Sequence, residues 1–192
     1  MVADLKFFFE DERIAGAILL GHSMGGKAAM NFVLQYPDFL ERLIVVDIAP
    51  RAYDLEHYAI ADGLATIPVH EITSRNQADE ILAKHVSEPE VRQFLLKNLQ
   101  RKSEGGFSWK INLPVIREKL SNIGVDLLTN NTFDKPSLFI RGARSNYVRD
   151  EDWARISEVF PSAKLETMET GHWVQAEKPQ EFVTLVMDWL NQ

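Results

Sequence analysis

The chain has 192 residues, 45% of them apolar and 26% charged, which is enough for a domain with its own core. A net charge of −7 argues against a nucleic-acid partner, and no apolar run approaches the ~18 residues of a membrane span. The lack of cysteine excludes disulfides, thiolate metal sites and a cysteine nucleophile.

Val2, Leu5, Phe8 and Phe9 recur with a helical rhythm and predict a helix over 1–10. The segment to Arg13 is acidic and amphipathic, unlike a signal or transit peptide. Ile14–Leu20 is nearly all apolar and predicts a strand buried on both faces, as in a parallel sheet. Gly26–Gln35 reads as a helix stopped by Tyr36-Pro37, and Leu43–Val46 as a second strand ending in Asp47. From Arg51 to about Asp134 the pattern is helical, over 55–67, 74–86, 89–100 and 113–122, with a strand only at Phe107–Ile111. Pro136–Arg141 resumes the strand pattern. A helix over Glu151–Phe160, a strand over Lys164–Met168 and a helix over Pro179–Asn191 complete the chain. The fold class is therefore α/β, a mostly parallel sheet with a helical insertion. Three segments result: 1–50 and 135–192 as the two parts of the core, and 51–134 as a helical lid.

The junction between the first strand and the next helix carries the chemistry. It reads Gly21-His22-Ser23-Met24-Gly25. Serine at the apex of a strand–turn–helix, with glycine two residues to either side, is the pattern of the nucleophile elbow. So sharp a turn leaves no room for bulky side chains, so Gly21 and Gly25 are expected to be required. By composition alone the pattern turns up in roughly 0.07 of chains this long, so the flanking strand and helix carry the weight.

A nucleophilic serine needs a base within hydrogen-bond reach and a carboxylate to orient that base. Of five histidines, His172 in Gly171-His172-Trp173 follows the last strand and suits the base. His22 adjoins the serine and its side chain is expected to point elsewhere; His57, His70 and His85 fall in the insertion. Asp47, at the end of the neighbouring strand, is the preferred acid. Asp150, Glu151 and Asp152 are the alternatives, though they read as the charged first turn of a helix.

Several separated stretches resemble one branch of the α/β-hydrolase-fold serine esterases, that of abhydrolase domain-containing protein 11 and related bacterial esterases. They are Gly21 to Lys27, Val45 to Pro50, Gly142 with Ser145-Asn146-Tyr147-Val148, and Gly171-His172-Trp173 with Ala176 to Pro179. The resemblance implies cleavage of small acyl esters or thioesters through Ser23, His172 and Asp47, with the Met24 amide in the oxyanion hole and no cofactor or metal. It also implies that the family's first strands, with a His-Gly loop supplying a second oxyanion donor, precede the matched region, so that the chain reads as N-terminally truncated. His22, Phe94, Trp109 and Trp173 are read as substrate-facing, although aromatics of the insertion such as Phe94, Phe107 and Trp109 are more often the core of a lid, and Trp173 could simply pack. A cytoplasmic location is implied, or the mitochondrial matrix for a eukaryotic parent. A non-catalytic binding or regulatory fragment of the same fold is the competing reading. Acyltransferase and haloperoxidase chemistry also share the triad.

Overall fold

The computed structural model describes residues 1–53, 57–122, 124–127 and 131–192, with only the main chain described at 57 and 58. In chain order the elements are α1 (Val2–Asp11), β1 (Ala17–His22), α2 (Met24–Gln35), β2 (Leu40–Val46), α3 (His57–Ala65), α4 (Arg75–Leu82), α5 (Pro89–Leu96), β3 (Leu99–Arg101), β4 (Phe107–Trp109), α6 (Leu113–Glu118), β5 (Ser137–Gly142), α7 (Asp152–Val159), β6 (Ala163–Met168), α8 (Val174–Glu177) and α9 (Pro179–Leu190). They form two compact units, one of 1–52 with 126–192 and one of 53–125.

In the first unit β1, β2, β5 and β6 form a parallel sheet in that order, with Leu20 opposite Ile44, Val46 opposite Ile140 and Gly142 opposite Met168. Side chains alternate across the sheet, so the apolar strands bury two faces. Ile44, Val46, Leu138 and Ile140 pack against Val174, Phe182 and Trp189 of α8 and α9. The opposite face, through Val45, takes α2 so closely that a Cβ on Gly26 would lie 3.2 Å from the Val45 side chain. Phe9 of α1 then packs on Phe32 of α2 with ring centroids 5.1 Å apart.

β1 departs from expectation in two ways. It starts at Ala17 because Arg13 (φ 53°) and Gly16 (φ 64°) turn the chain first. Nor is it buried on both faces. Ile18 and Leu20 are 47% and 44% exposed, since β1 is the edge of the described sheet and its outer face is open. Phe7 and Phe8 of α1 are exposed as well.

The second unit has its own core, in which Leu64, Leu82, Leu96, Leu99 and Phe107 are buried. Local signals set its helices. Ser74 and Gln77 form a reciprocal capping box at the start of α4, Pro89 opens α5, and the Asn112 side chain accepts from the Val115 amide to cap α6. The expectation of a helix running to Gln100 is corrected. Leu99–Arg101 pairs antiparallel with Phe107–Trp109, joined through the Gly105-Gly106 turn, and the pairing buries both Leu99 and Phe107 in the core of this unit. Residues 55 and 56 of the helix expected over 55–67 lie outside the described residues.

Lys27 is buried in α2, only 6% exposed, and its ammonium donates to the Arg51 carbonyl. Burial lowers its pKa from 10.5 to about 8, with Arg51 adding to the effect and Asp126 opposing it. Between those two values the unfolded chain binds more protons than the folded one, so stability at this position rises with pH. The unfolding free energy of wild type relative to Lys27→Met is expected to increase from pH ~8 to ~10.5 in urea titrations. A pH-independent difference would contradict this reading of the buried charge.

Among the described residues no helix is long and apolar enough to cross a membrane, and no cluster of three or more His, Asp or Glu is placed to hold a metal ion.

Candidate active site

The carboxyl ends of the four parallel strands converge, which is where open α/β sheets place their sites. β1 delivers Ser23, β2 delivers Asp47, β5 runs into the loop bearing Ser145 and Tyr147, and β6 leads to His172. All of these residues belong to the first unit.

Ser23 and Asp47 both hold left-handed backbone conformations, with φ of 53° and 49°. Such strain in non-glycine residues persists only where the surroundings enforce it. Here the Ser23 amide donates to the Val46 carbonyl at 2.9 Å and the Asp47 amide to the Ile140 carbonyl at 2.8 Å, which pins both strand ends. The turn leaves no space at Gly21, where a Cβ would sit 2.4 Å from the Gly25 carbonyl oxygen, or at Gly26, where it would sit 2.5 Å from the Ile48 side chain. The expectation for Gly25 is corrected, because a Cβ there would meet open space. The tight helix–sheet approach is taken up by Gly26 instead.

His172 lies between the serine and the aspartate. Its Nε2 is 3.0 Å from Ser23 Oγ and its Nδ1 is 2.8 Å from Asp47 Oδ2. Since a carboxylate only accepts, Nδ1 carries the proton and Nε2 is left as an acceptor facing the hydroxyl. Asp47 is fully buried. Its Oδ1 accepts from the Gly142 amide at 3.0 Å, and its Oδ2 also accepts from the Ser145 hydroxyl. The Tyr147 amide donates to the Ser145 oxygen at 3.2 Å, so the loop after β5 is organised on the carboxylate. The Met24 amide opens α2 directly after Ser23, where helix geometry leaves it without an intrahelical acceptor.

The other acids are engaged elsewhere. Asp150 pairs with Arg141 at 2.6 Å, Glu151 with Arg149 at 3.1 Å, and the buried Asp152 with Arg51 at 2.9 Å. The Arg51 guanidinium also donates to the Asn146 carbonyl at 3.1 Å and so ties down the loop that carries Ser145 and Tyr147.

His22 does not point away from the base, as its place in the elbow suggested. Its Nε2 lies 2.9 Å from the His172 carbonyl oxygen and must be the donor there. Burial holds its pKa below the ordinary histidine value, against the opposing effect of that hydrogen bond, so the uncharged ring is favoured. Trp173 packs beside both imidazoles, with ring centroids 5.5 Å from His22 and 5.6 Å from His172. Phe94 and Trp109 belong to the second unit; Phe94 is 44% exposed, while Trp109 packs on that unit's core, in which Phe107 is buried. His70 and His85 are exposed in the same unit, and the His57 side chain lies outside the described ones.

Sequence reasoning assigned no role to Ser145, Tyr147 or the Gly142 amide. The Ser145-Asn146-Tyr147-Val148 string was the available signal. Its function depends on a carboxylate almost a hundred residues away in the chain, |i−j| = 98, so local pattern could not reveal it.

Residues 1–179 match the family model of the alpha/beta hydrolase fold. The chain belongs to this family. It is 36% identical over 198 residues to the sn-1-specific diacylglycerol lipase ABHD11 of Danio rerio, covering 100% of this chain and 62% of that protein. It is 33% identical over 193 residues to the esterase YbfF of Escherichia coli, covering 100% of this chain and 74% of that protein. A solved marine microorganism esterase superposes with a TM-score of 0.92 at 36% identity, over 98% of this chain and 75% of that one. The chain thus spans 62% of the length of the zebrafish relative.

Proposed function

We propose that this α/β hydrolase chain carries the reactive centre of a serine carboxylic-ester hydrolase acting on small acyl esters or thioesters. One observation carries the reading. Ser23, His172 and Asp47 form an unbroken hydrogen-bonded chain at 3.0 and 2.8 Å, with the serine held in the strained conformation that exposes its hydroxyl. The esterase and lipase names of relatives at 33–36% identity support the same class of reaction.

In this reading Ser23 Oγ attacks the acyl carbonyl carbon while its proton passes to His172 Nε2. Asp47 keeps Nδ1 protonated and faces the imidazolium with a fixed negative charge. The Met24 amide, at the positive end of α2, stabilises the oxyanion. Collapse of the tetrahedral intermediate breaks the ester C–O or thioester C–S bond, and the leaving group takes the proton from His172. Water then adds to the acyl-serine, again with His172 as base, which releases the acid and restores the hydroxyl.

Turnover of p-nitrophenyl acetate and of an acetyl thioester by the purified chain tests this. Release of p-nitrophenol or thiol that disappears in Ser23→Ala supports the proposal. Equal rates in the two proteins would refute it.

A further inference from the structure

One ring on the base has no role in the proton path described above. Tyr147 stacks on His172 with ring centroids 4.1 Å apart and planes inclined by 24°, nearer to the imidazole than the rings of His22 at 4.7 Å or Trp173 at 5.6 Å. Its backbone is held by the hydrogen bond that its N–H donates to Ser145 Oγ, and the loop is fixed in turn by Arg51. The tyrosine is thus presented by a prearranged main chain, half-buried against the imidazole.

We propose that Tyr147 is a positioning residue that acts through His172: its ring face keeps the imidazole aligned on Ser23 and stabilises the imidazolium formed when the serine gives up its proton. The inference rests on the reading of His172 as the general base.

The physical reason is a difference between two states. A neutral imidazole gains only dispersion and overlap from an aromatic face. A cation above the same face is also drawn to the ring's negative quadrupole. Contacts that strengthen as the transition state forms accelerate the reaction, whereas equal contacts in both states do not. The base becomes cationic only in the transition state and the tetrahedral intermediate, so the Tyr147 face acts when charge appears.

The groups around His172 are consistent with this division of labour. Asp47, from the end of β2, accepts from the Nδ1–H at 2.8 Å. His22, from the end of β1, has its pKa lowered mainly by burial, which disfavours a second cation beside His172. Glu177 of α8 accepts from the Gly171 amide, and its charge is met by Arg144 at 2.8 Å. Trp173 meets His172 edge to face, at 64°, leaving Tyr147 as the stacked ring.

The test compares wild type, Tyr147→Phe and Tyr147→Leu by the rate of fluorophosphonate labelling between pH 5 and 8. Leucine keeps an apolar side chain but removes the π face. It is expected to lower the plateau rate about three- to tenfold and to move the acid limb about half a pH unit lower, because the cationic base has lost a stabilising partner. Phenylalanine retains the face and should restore the rate to within about twofold of wild type. Three results would overturn the inference: Leu labelling like wild type, Phe as slow as Leu, or a slower Leu protein whose acid limb has not moved, since that last result marks a merely structural contact. If wild type itself is not labelled, the hydrolase reading fails separately. The inference is then decided by nitrogen-15 NMR titration of the His172 ring in the same three proteins. A midpoint lowered in Leu and preserved in Phe supports it, and three equal midpoints overturn it.

Discussion

Asp47→Asn is expected to slow acylation of Ser23 by about 10⁴-fold while leaving the fold intact. The size of the effect follows from which way the new amide must face. The Gly142 N–H can only donate, and it points at the position of Oδ1 at 3.0 Å. An asparagine must therefore place its carbonyl oxygen there and its NH2 group where Oδ2 now accepts from His172 Nδ1. Two donors would then face each other, so His172 is driven to the tautomer that carries its proton on Nε2. That tautomer cannot accept the proton of Ser23. Asp150→Asn, on an exposed carboxylate paired with Arg141, should leave the rate unchanged. Fluorophosphonate labelling rates for the three proteins at pH 7.5 decide the matter, with circular dichroism as the check on folding. An Asp47→Asn protein as fast as wild type would transfer the orienting role to Asp150 or Asp152.

The second large effect is expected at Gly142. A Cβ there would lie 2.1 Å from the Gly171 carbonyl oxygen and 2.8 Å from that of Thr170. Both obstacles are main chain and cannot rotate aside, so the loop carrying His172 has to move. The Gly142 amide that binds Asp47 would shift with it. Gly142→Ala should therefore cost about 3 kcal/mol or more of stability, at the top of the range for a single overpacking substitution. The folded fraction should label roughly 10²-fold more slowly, as expected for displacement of a catalytic group by about 1 Å. Gly25→Ala provides the contrast. Its Cβ enters open space within α2, where alanine is the better helix former, so urea denaturation should show equal or greater stability. If the two alanine variants behaved alike, the close approach of β5 to the base loop would carry no weight.

The contrast between those glycines marks what the sequence could disclose. The elbow motif announces a sharp turn, and the strand before and helix after it confirm the setting. Which glycine is sterically required depends on Val45 of β2 and Ile48 just beyond that strand, so Gly25 is expected from the motif to matter where Gly26 does. Ser23, Asp47 and His172 stand out as candidates in the sequence because each comes after a predicted strand, at the edge of a parallel sheet where sites gather. The strands themselves were readable as short apolar runs, but the exposure of Ile18 and Leu20 depends on what lies beside β1, which an apolar run cannot encode. Leu99–Arg101 escaped because three residues give no period and the segment continues a helical pattern. Ser145, Tyr147 and the turn of His22 onto the base are tertiary facts. Each rests on a partner brought near by sheet order.

Covalent trapping asks whether Ser23 is an activated nucleophile. The purified chain is incubated with a fluorophosphonate at pH 7.5 and analysed by intact mass and peptide mapping, beside a His172→Ala variant. One adduct per chain is expected, located on Ser23, with strongly reduced labelling when the imidazole is removed. An unlabelled chain, an adduct on another residue, or undiminished labelling in His172→Ala would contradict it.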